Sequence, residues 1–294
     1  MSEIRRVLLI VNPASRRGGR ARAAAAEAFA KAGVMVDVRI TEAPGHAELI
    51  AKAESAAYDA VFSLGGDGTA MEVIGALAGN GPPVGVLAGG TGNVIARSLG
   101  IPVSVRRAVP MLVNGRESLI DLGVMADGRR FAIGVGVGID ATMIAETPAA
   151  LKQRLGVLAY VIVGVRCVLR FDQFEVRLTV DGEILETRAS AVLIANFGTL
   201  LNQLIVLGNG IQHDDGLLNA CVFSPRTVRD FVRITWRLMT RNFKPDPCLE
   251  YRSGKEFRLE TTPLRQSQAD GELTGTTPLS VSVDPLASRL LLPR

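Results

Sequence analysis

Along the first hundred residues, short apolar runs alternate with longer amphipathic stretches. Val7 to Val11 (VLLIV) reads as a strand, an Ala-rich segment from about Gly19 to Ala32 as a helix, VMVDVRI as a second strand, and about His46 to Ala57 as a second helix. The strand DAVFSL, a helix from about Ala70 to Ala78, the strand VGVLA and a short helix ending near Leu99 continue the series. Strand-length apolar runs separated by helical patterns predict a parallel sheet with helices on both faces. Gly100, Ile101 and Pro102 then break the alternation.

From about Ser118 the pattern changes to extended Val/Ile/Leu alternation punctuated by Asp127-Gly128, Asp181-Gly182, Asp215-Gly216 and Asp270-Gly271. Asp-Gly between alternating apolar positions signals hairpins, so a mainly antiparallel β domain is expected, interrupted by helices at about Pro148 to Leu169 and Pro225 to Arg241. The division predicted is an N-terminal α/β domain over residues 1–122 and a C-terminal β-rich domain over 123–294. The last strands, from Leu279 to Leu292, are free to return to either.

Composition narrows the class. Of 294 residues, 48% are hydrophobic and 21% charged, with a formal charge of +4. A chain this apolar is not disordered. Its mean hydropathy of +0.26 raises the question of a membrane span. The longest candidate, Leu155 to Val165, is closed by Arg154 and Arg166 and is about half the ~20 residues a spanning helix needs. The apolar N-terminal run leads into Asn12-Pro13 with no small-residue cleavage site, so a first strand and a cytoplasmic protein are expected rather than a signal peptide. Cys167, Cys221 and Cys248 are widely spaced, which disfavours a disulfide framework or a zinc site. Aromatics are 5% and no Lys/Arg block occurs, so no nucleic-acid partner is expected. Oligomeric state stays open, a homodimer included.

Three glycine-bearing turns carry the candidate chemistry. FSLGGDGTAMEV follows a predicted strand and opens a predicted helix, where Gly65, Gly66 and Gly68 let backbone N–H groups approach phosphate oxygens and the helix start favours anions. NPASRRGG (Asn12 to Gly19) follows the first strand and AGGTGN (Ala88 to Asn93) the fourth. Ligands of open α/β sheets bind beyond the carboxyl ends of the strands, so the three turns define one crevice. Thr69 and Glu72 also fit a Thr-x-x-Glu capping box, which would make them helix starters only. No P-loop pattern occurs. The one GxGxxG-like match, GVGIDA from Gly136 to Ala141, falls in the predicted β domain and is set aside.

In order, NPASRRGG, GGDGTAMEV and GGTGNVIARSLGIP resemble the catalytic domain of the diacylglycerol kinase and sphingosine kinase superfamily, and especially its soluble bacterial lipid kinases. The resemblance extends through Thr41 before PGHAE, LKQRLGVLAY, Asn196, HDDGLLNA and QADGE, covering essentially the whole chain. It implies an NAD kinase-like, open parallel α/β domain followed by a mainly antiparallel β domain, with the nucleotide in the cleft between them. It further implies an ATP- and Mg2+-dependent kinase of diacylglycerol or a related lipid, at work in phospholipid metabolism. ATP would be contacted by Asn12, Ser15, Thr41, Gly65, Gly66, Asp67, Gly68, Thr69, Glu72, Gly90, Thr91 and Asn93, with Asp67 organising the Mg-nucleotide. Glu272 looks like the proton acceptor for the lipid hydroxyl and Asp270 its support. The residues alone do not separate Asp270-Gly271-Glu272 from Asp181-Gly182-Glu183. A structural magnesium is implied at Asp215, the carbonyl of Leu217 and Gln212, with a plain turn as the alternative.

Ala70-Met71 stand where the family usually has Leu-Asn, and Val94 where it usually has Asp. These changes leave open a catalytically silent nucleotide or lipid sensor, and the GGDGT motif, which NAD kinases share, leaves open a kinase of a soluble acceptor. Finally, Arg226, Arg229, Arg233, Arg237 and Arg241 recur at helical spacing, with Ser224-Pro225 as N-cap and first helical residue. Phe231, Val232, Trp236, Leu238 and Met239 fall largely opposite. The arginine stripe is either a solvated face over a core-facing stripe or a contact with anionic membrane, which would place the enzyme peripherally at the inner membrane surface.

Overall fold

The computed structural model describes residues 4–138, 173–200, 205–208 and 210–294. The expected helix at Pro148 to Leu169, its apolar run and Cys167 lie outside the described residues. The chain divides into two compact units, residues 1–120 with 286–294, and residues 121–285.

Unit 1 alternates strand and helix: β1 (Arg6–Val11), α1 (Gly18–Lys31), β2 (Met35–Ile40), α2 (His46–Glu54), β3 (Ala60–Gly65), α3 (Asp67–Ala76), β4 (Val84–Ala88), α4 (Val94–Ser98) and α5 (Val105–Val113). The strands are parallel in the order β2-β1-β3-β4. All of β3 and nearly all of β1 is buried, as strands covered on both faces must be. Small residues hold the layers close. Ala25 and Ala28 let α1 approach the sheet, Phe29 packs edge-on to Phe62 with ring centroids 4.8 Å apart, and Gly85 leaves room for the Phe62 ring.

Unit 2 is antiparallel. β5 (Arg116–Met125) enters it and turns back through β6 (Arg130–Phe131). Then come β7 (Gly134–Gly138), β8 (Phe174–Val180), β9 (Glu183–Ala189), β10 (Ala191–Ala195), the short ribbon β11 (Thr199–Leu200) with β12 (Ile205–Val206), β13 (Leu218–Phe223), the helix α6 (Val228–Met239), β14 (Leu249–Gly254), β15 (Glu256–Thr262), β16 (Gln266–Ala269), β17 (Glu272–Thr276) and β18 (Leu279–Leu292). One sheet runs β14-β13-β10-β7-β16-β17, while β9-β8-β15 continues onto the first residues of β18. Period-2 alternation on both supplies one core between them: Val135 and Val137, Val192 and Ile194, Ala220 and Val222 from the first sheet, and Val176, Leu178, Phe257, Leu259 and Val281 from the second. Gly136 of the rejected GxGxxG match lies inside β7. The far end of β18 belongs to unit 1, where Leu290 pairs with Val84 of β4.

Three of the four Asp-Gly pairs close hairpins: β5–β6, β8–β9 and β16–β17. The fourth does not. Asp215-Gly216 is a bend leading into β13, and its fixing group is the fully buried carboxylate of Asp121, which accepts the Gly216 N–H at 2.7 Å, while the Asp121 N–H donates to the His213 carbonyl at 2.6 Å.

Candidate functional site

In unit 1 the order 2-1-3 reverses direction between β1 and β3. This is the switch point beyond whose carboxyl ends an open α/β sheet leaves a crevice. The loop after β1 and the start of α3 face each other there, and the loop after β4 lies beside them. Asn12 Nδ2 donates to Thr69 Oγ1 at 3.0 Å, joining the first to the second. The Arg17 N–H donates to the Gly89 carbonyl at 2.8 Å, joining the first to the third, and the Gly89 N–H donates to the Gly65 carbonyl at 2.7 Å, joining the third to the second.

Each loop is also braced internally. Asn12 Oδ1 accepts the Ala14 N–H, and Ser15 Oγ donates to the Asn12 carbonyl. Buried Asn93, in the left-handed conformation at φ 48°, accepts the Gly90 N–H and returns a hydrogen bond to the Gly90 carbonyl. Thr41, buried at the end of β2, is tied through its N–H to Val11. A Cβ on Gly90 would lie 2.6 Å from the Gly66 Cα, a backbone contact that no rotamer change relieves. Gly90→Ala should therefore force the two loops apart and cost about 1–3 kcal/mol, read as a lower urea midpoint at unchanged slope.

The sequence expectation needs correcting at the start of α3. The helix begins at Asp67 rather than near Ala70, with Gly66 as an extended N-cap. Thr69 is therefore inside the first turn and caps nothing, so the Thr-x-x-Glu box is not formed. Its hydroxyl serves Asn12 instead. Glu72 caps another helix: its two oxygens accept the Gly45 and Ala47 N–H groups, each at 3.0 Å, at the start of α2. The Asp67 carboxylate accepts the Ile95 N–H at 3.1 Å and also faces the N–H groups of Val94 and Asn93. Burial pushes this carboxyl above its ordinary value, against the lowering effect of those three donors. Asp67 thus clasps the N-terminus of α4, where the helix dipole and free N–H groups favour a negative charge.

In unit 2, Asp270 and Glu272 lie at the β16–β17 hairpin. Asp270 takes φ 48° and Gly271 φ 91°, the pair of positive angles a two-residue hairpin turn requires. The Asp270 carboxylate accepts the Ala132, Ile133 and Gly134 N–H groups at 2.8, 2.8 and 3.1 Å, pinning the turn to the start of β7. Glu272 is left exposed at the head of β17. Asp181-Gly182 is built alike, with φ 48° and 91° and the Asp181 carboxylate accepting the Lys255 and Glu256 N–H groups. Turn geometry is common to both tripeptides and does not distinguish Glu272 from Glu183.

Gln212, Asp215 and Leu217 share one short segment before β13. Asp215 Oδ1 accepts the Leu217 N–H at 3.0 Å, and Oδ2 accepts no hydrogen bond among the described residues. The oxygen donors present fit a hard divalent cation. Among the described residues no group of three His, Cys, Asp or Glu forms a metal cluster. Buried Asn196 and half-buried His213 lie beside this segment and the hairpin. Asn196 donates to the Asp121 and Ala132 carbonyls, and His213 stacks on Phe197 with ring centroids 5.3 Å apart. The resemblance brought in Asn196 only as a motif position, and Asp121 was missed. Its signal was a charged residue at an apolar position of a strand, Leu119-Ile120-Asp121-Leu122.

The arginine stripe is divided. Helix α6 starts three residues later than expected, with Thr227 as N-cap and Asp230 completing a capping box, so Ser224-Pro225 do not cap it. Arg233 pairs with Asp230 and Asp246, and Arg237 with Asp246, at 2.6–3.1 Å. Burial raises the Asp246 carboxyl, but Arg233, the Cys248 N–H and Arg237 together hold it below its usual range. Arg226, Arg229 and Arg241 are exposed. Nor does the whole apolar set face the core: Ile234 and Leu238 do, while Val232, Trp236 and Met239 face solvent.

Comparison with known proteins gives two family models. Residues 6–125 match the diacylglycerol kinase catalytic domain, and residues 133–292 match the YegS C-terminal NAD kinase beta sandwich-like domain. A diacylglycerol kinase of Bacillus subtilis is 28% identical over 284 residues, 94% of this chain and 92% of that protein. One of Staphylococcus saprophyticus is 26% identical over 252 residues, 84% of this chain and 82% of that protein. An uncharacterised protein of Synechocystis is 29% identical over 237 residues, and the match spans 54% of that longer protein. Two solved structures from Bacillus anthracis superpose with TM-scores of 0.84 and 0.78 over 99% of this chain and 98% of theirs, at 23% and 19% identity. At that identity they establish the fold.

Proposed function

Because the chain belongs to the diacylglycerol kinase family and is a kinase, we propose that it transfers the γ-phosphate of ATP to a hydroxyl of diacylglycerol or a related lipid. The observation that carries this is the stitching of three glycine-bearing loops into one cradle at the β1/β3 switch point. Phosphoryl transfer asks for positioned phosphates and a proton acceptor near the attacking hydroxyl. Gly66, Gly68 and Thr91 offer the first through their backbone N–H groups, and Gly90, whose own N–H goes to Asn93, lets the second and third loops meet closely. Asn12, Ser15, Thr41, Thr69 and Asn93 hold those backbones in place.

Glu272 supplies the second. Its carboxylate takes the lipid hydroxyl proton as the oxygen attacks, and Asp270 fixes the turn that presents it. Asp67 acts through the third loop, by holding Asn93 to Ile95, rather than on the reacting atoms. Glu72, spent on the start of α2, acts in the same indirect way. Gln212, Asp215 and the Leu217 carbonyl would hold a magnesium ion, which when bound supplies positive charge and fixes the bend before β13.

ATP consumption measured across dispersed diacylglycerol, monoacylglycerol, sphingosine and NAD tests the reading. Turnover with a glycerolipid and none with NAD is expected. Turnover with NAD alone would make the protein a soluble-acceptor kinase, and none with any acceptor would make it a binding protein.

A further inference from the structure

Helix α6 turns an apolar face to solvent. Its inner side is Ile234 and Leu238 on Cys248, with Phe223, Phe243 and Leu249 around them. On its outer side Val232, Trp236 and Met239 are 59%, 66% and 40% exposed. At 100° per residue these three fall within about 60° of one another. Exposed cations edge this strip: Arg226 before the helix, Arg229 beside Trp236, and Arg241 and Lys244 after it. Among the described residues none of these four side chains forms an ion pair. The neighbouring carboxylates, Asp230 and Asp246, are taken up by Arg233 and Arg237.

We infer that this face of α6 is the protein's contact with an anionic lipid bilayer. Trp236, Val232 and Met239 sit at headgroup depth, and Arg226, Arg229, Arg241 and Lys244 lie against lipid phosphates. A helix in the plane of a membrane has this construction, with an apolar side carrying Trp, basic residues at its borders and acidic groups turned away. Charge decides the occupant: a second copy of this face would bring its own arginines against these, whereas an anionic surface neutralises all four. The inference rests on the lipid-acceptor reading for the reason the surface is visited, and the test keeps the two apart.

Trp236 is the chain's single tryptophan, so its emission reports this face alone. With vesicles of phosphatidylglycerol and phosphatidylcholine, without ATP or diacylglycerol, the emission should shift to the blue and be quenched by brominated lipid. Val232→Ser with Met239→Ser should weaken vesicle binding about tenfold or more. Arg226→Glu with Arg229→Glu and Arg241→Glu should abolish the preference for anionic over neutral vesicles. The Val232→Ser, Met239→Ser variant should still phosphorylate a short-chain diacylglycerol dispersed in water as the wild type does. Emission that vesicles neither shift nor quench would overturn the inference, as would a blue shift produced by raising protein concentration without vesicles, which would assign the face to a second copy. If Trp236 enters vesicles and no lipid is phosphorylated, the acceptor reading fails and the membrane contact stands.

Discussion

Glu272→Gln is expected to lower phosphotransfer by about 10²- to 10⁴-fold, the usual contribution of a positioned general base, with little change in thermal stability. The substitution keeps the size of the side chain and removes its capacity to accept a full proton. Stability should hold because Glu272 is exposed, whereas the adjoining Asp270 carries the three hydrogen bonds that pin the hairpin. A matched Glu183→Gln is the control, since Asp181-Gly182-Glu183 shares the turn and not the proposed role. Steady-state kcat and KM with a dispersed glycerolipid would decide. Near wild-type kcat for Glu272→Gln would remove Glu272 from the mechanism.

Asp67→Ala is expected to cost both activity and stability. The carboxylate is the acceptor for the start of α4, and its loss leaves buried N–H groups of Asn93, Val94 and Ile95 without it, at about 1–3 kcal/mol. The third loop then no longer sits fixed against the second. Misplacement of a cradle by about 1 Å is worth roughly 10²-fold in rate. Because Asp67 positions the cradle, the loss should appear largely in KM for ATP, and Asp67→Asn, which keeps one acceptor oxygen, should recover part of it. A carboxylate acting on the reacting phosphate would instead lower kcat at unchanged KM.

The pH dependence has a definite sign. Burial raises the Asp67 carboxyl above its ordinary 3.8, so between that value and the raised one the folded chain holds a proton that the unfolded chain has released. The stability this group contributes is full below 3.8 and is lost as pH rises through the folded value. The gap in unfolding free energy between wild type and Asp67→Ala should therefore narrow with rising pH, as urea titrations at several pH values would read.

The fold was legible where burial writes itself into local pattern. Parallel strands covered on both faces give unbroken apolar runs such as Val7 to Val11, and the sandwich strands give alternation, so both halves could be classed from sequence. What escaped was set by distant partners. Thr69 and Glu72 satisfy a local capping rule, yet one is claimed by Asn12 and the other by α2. Four Asp-Gly pairs read alike, and the one at 215–216 departs because Asp121, far off in sequence, holds it as a bend. In α6 the period located two faces without saying which one meets protein. Asp246, from the following loop, decided that by drawing in Arg233 and Arg237. The loops of unit 1 were recognisable one by one from glycine and asparagine, but the bonds that tie them join residues 24 to 72 positions apart and leave no trace in any short window.

Strand β18 also sets an order of events during synthesis. Residues 286–294, which give β4 its neighbour at Leu290 and accept the Gly79 N–H at Ala287, leave the ribosome after every residue of unit 2. Unit 1 is thus begun before unit 2 and completed after it. Until then the β4 edge beside Val84 is an open strand, available to wrong partners. Loss of residues 286–294 would consequently damage the unit whose other strands all precede unit 2 in the chain.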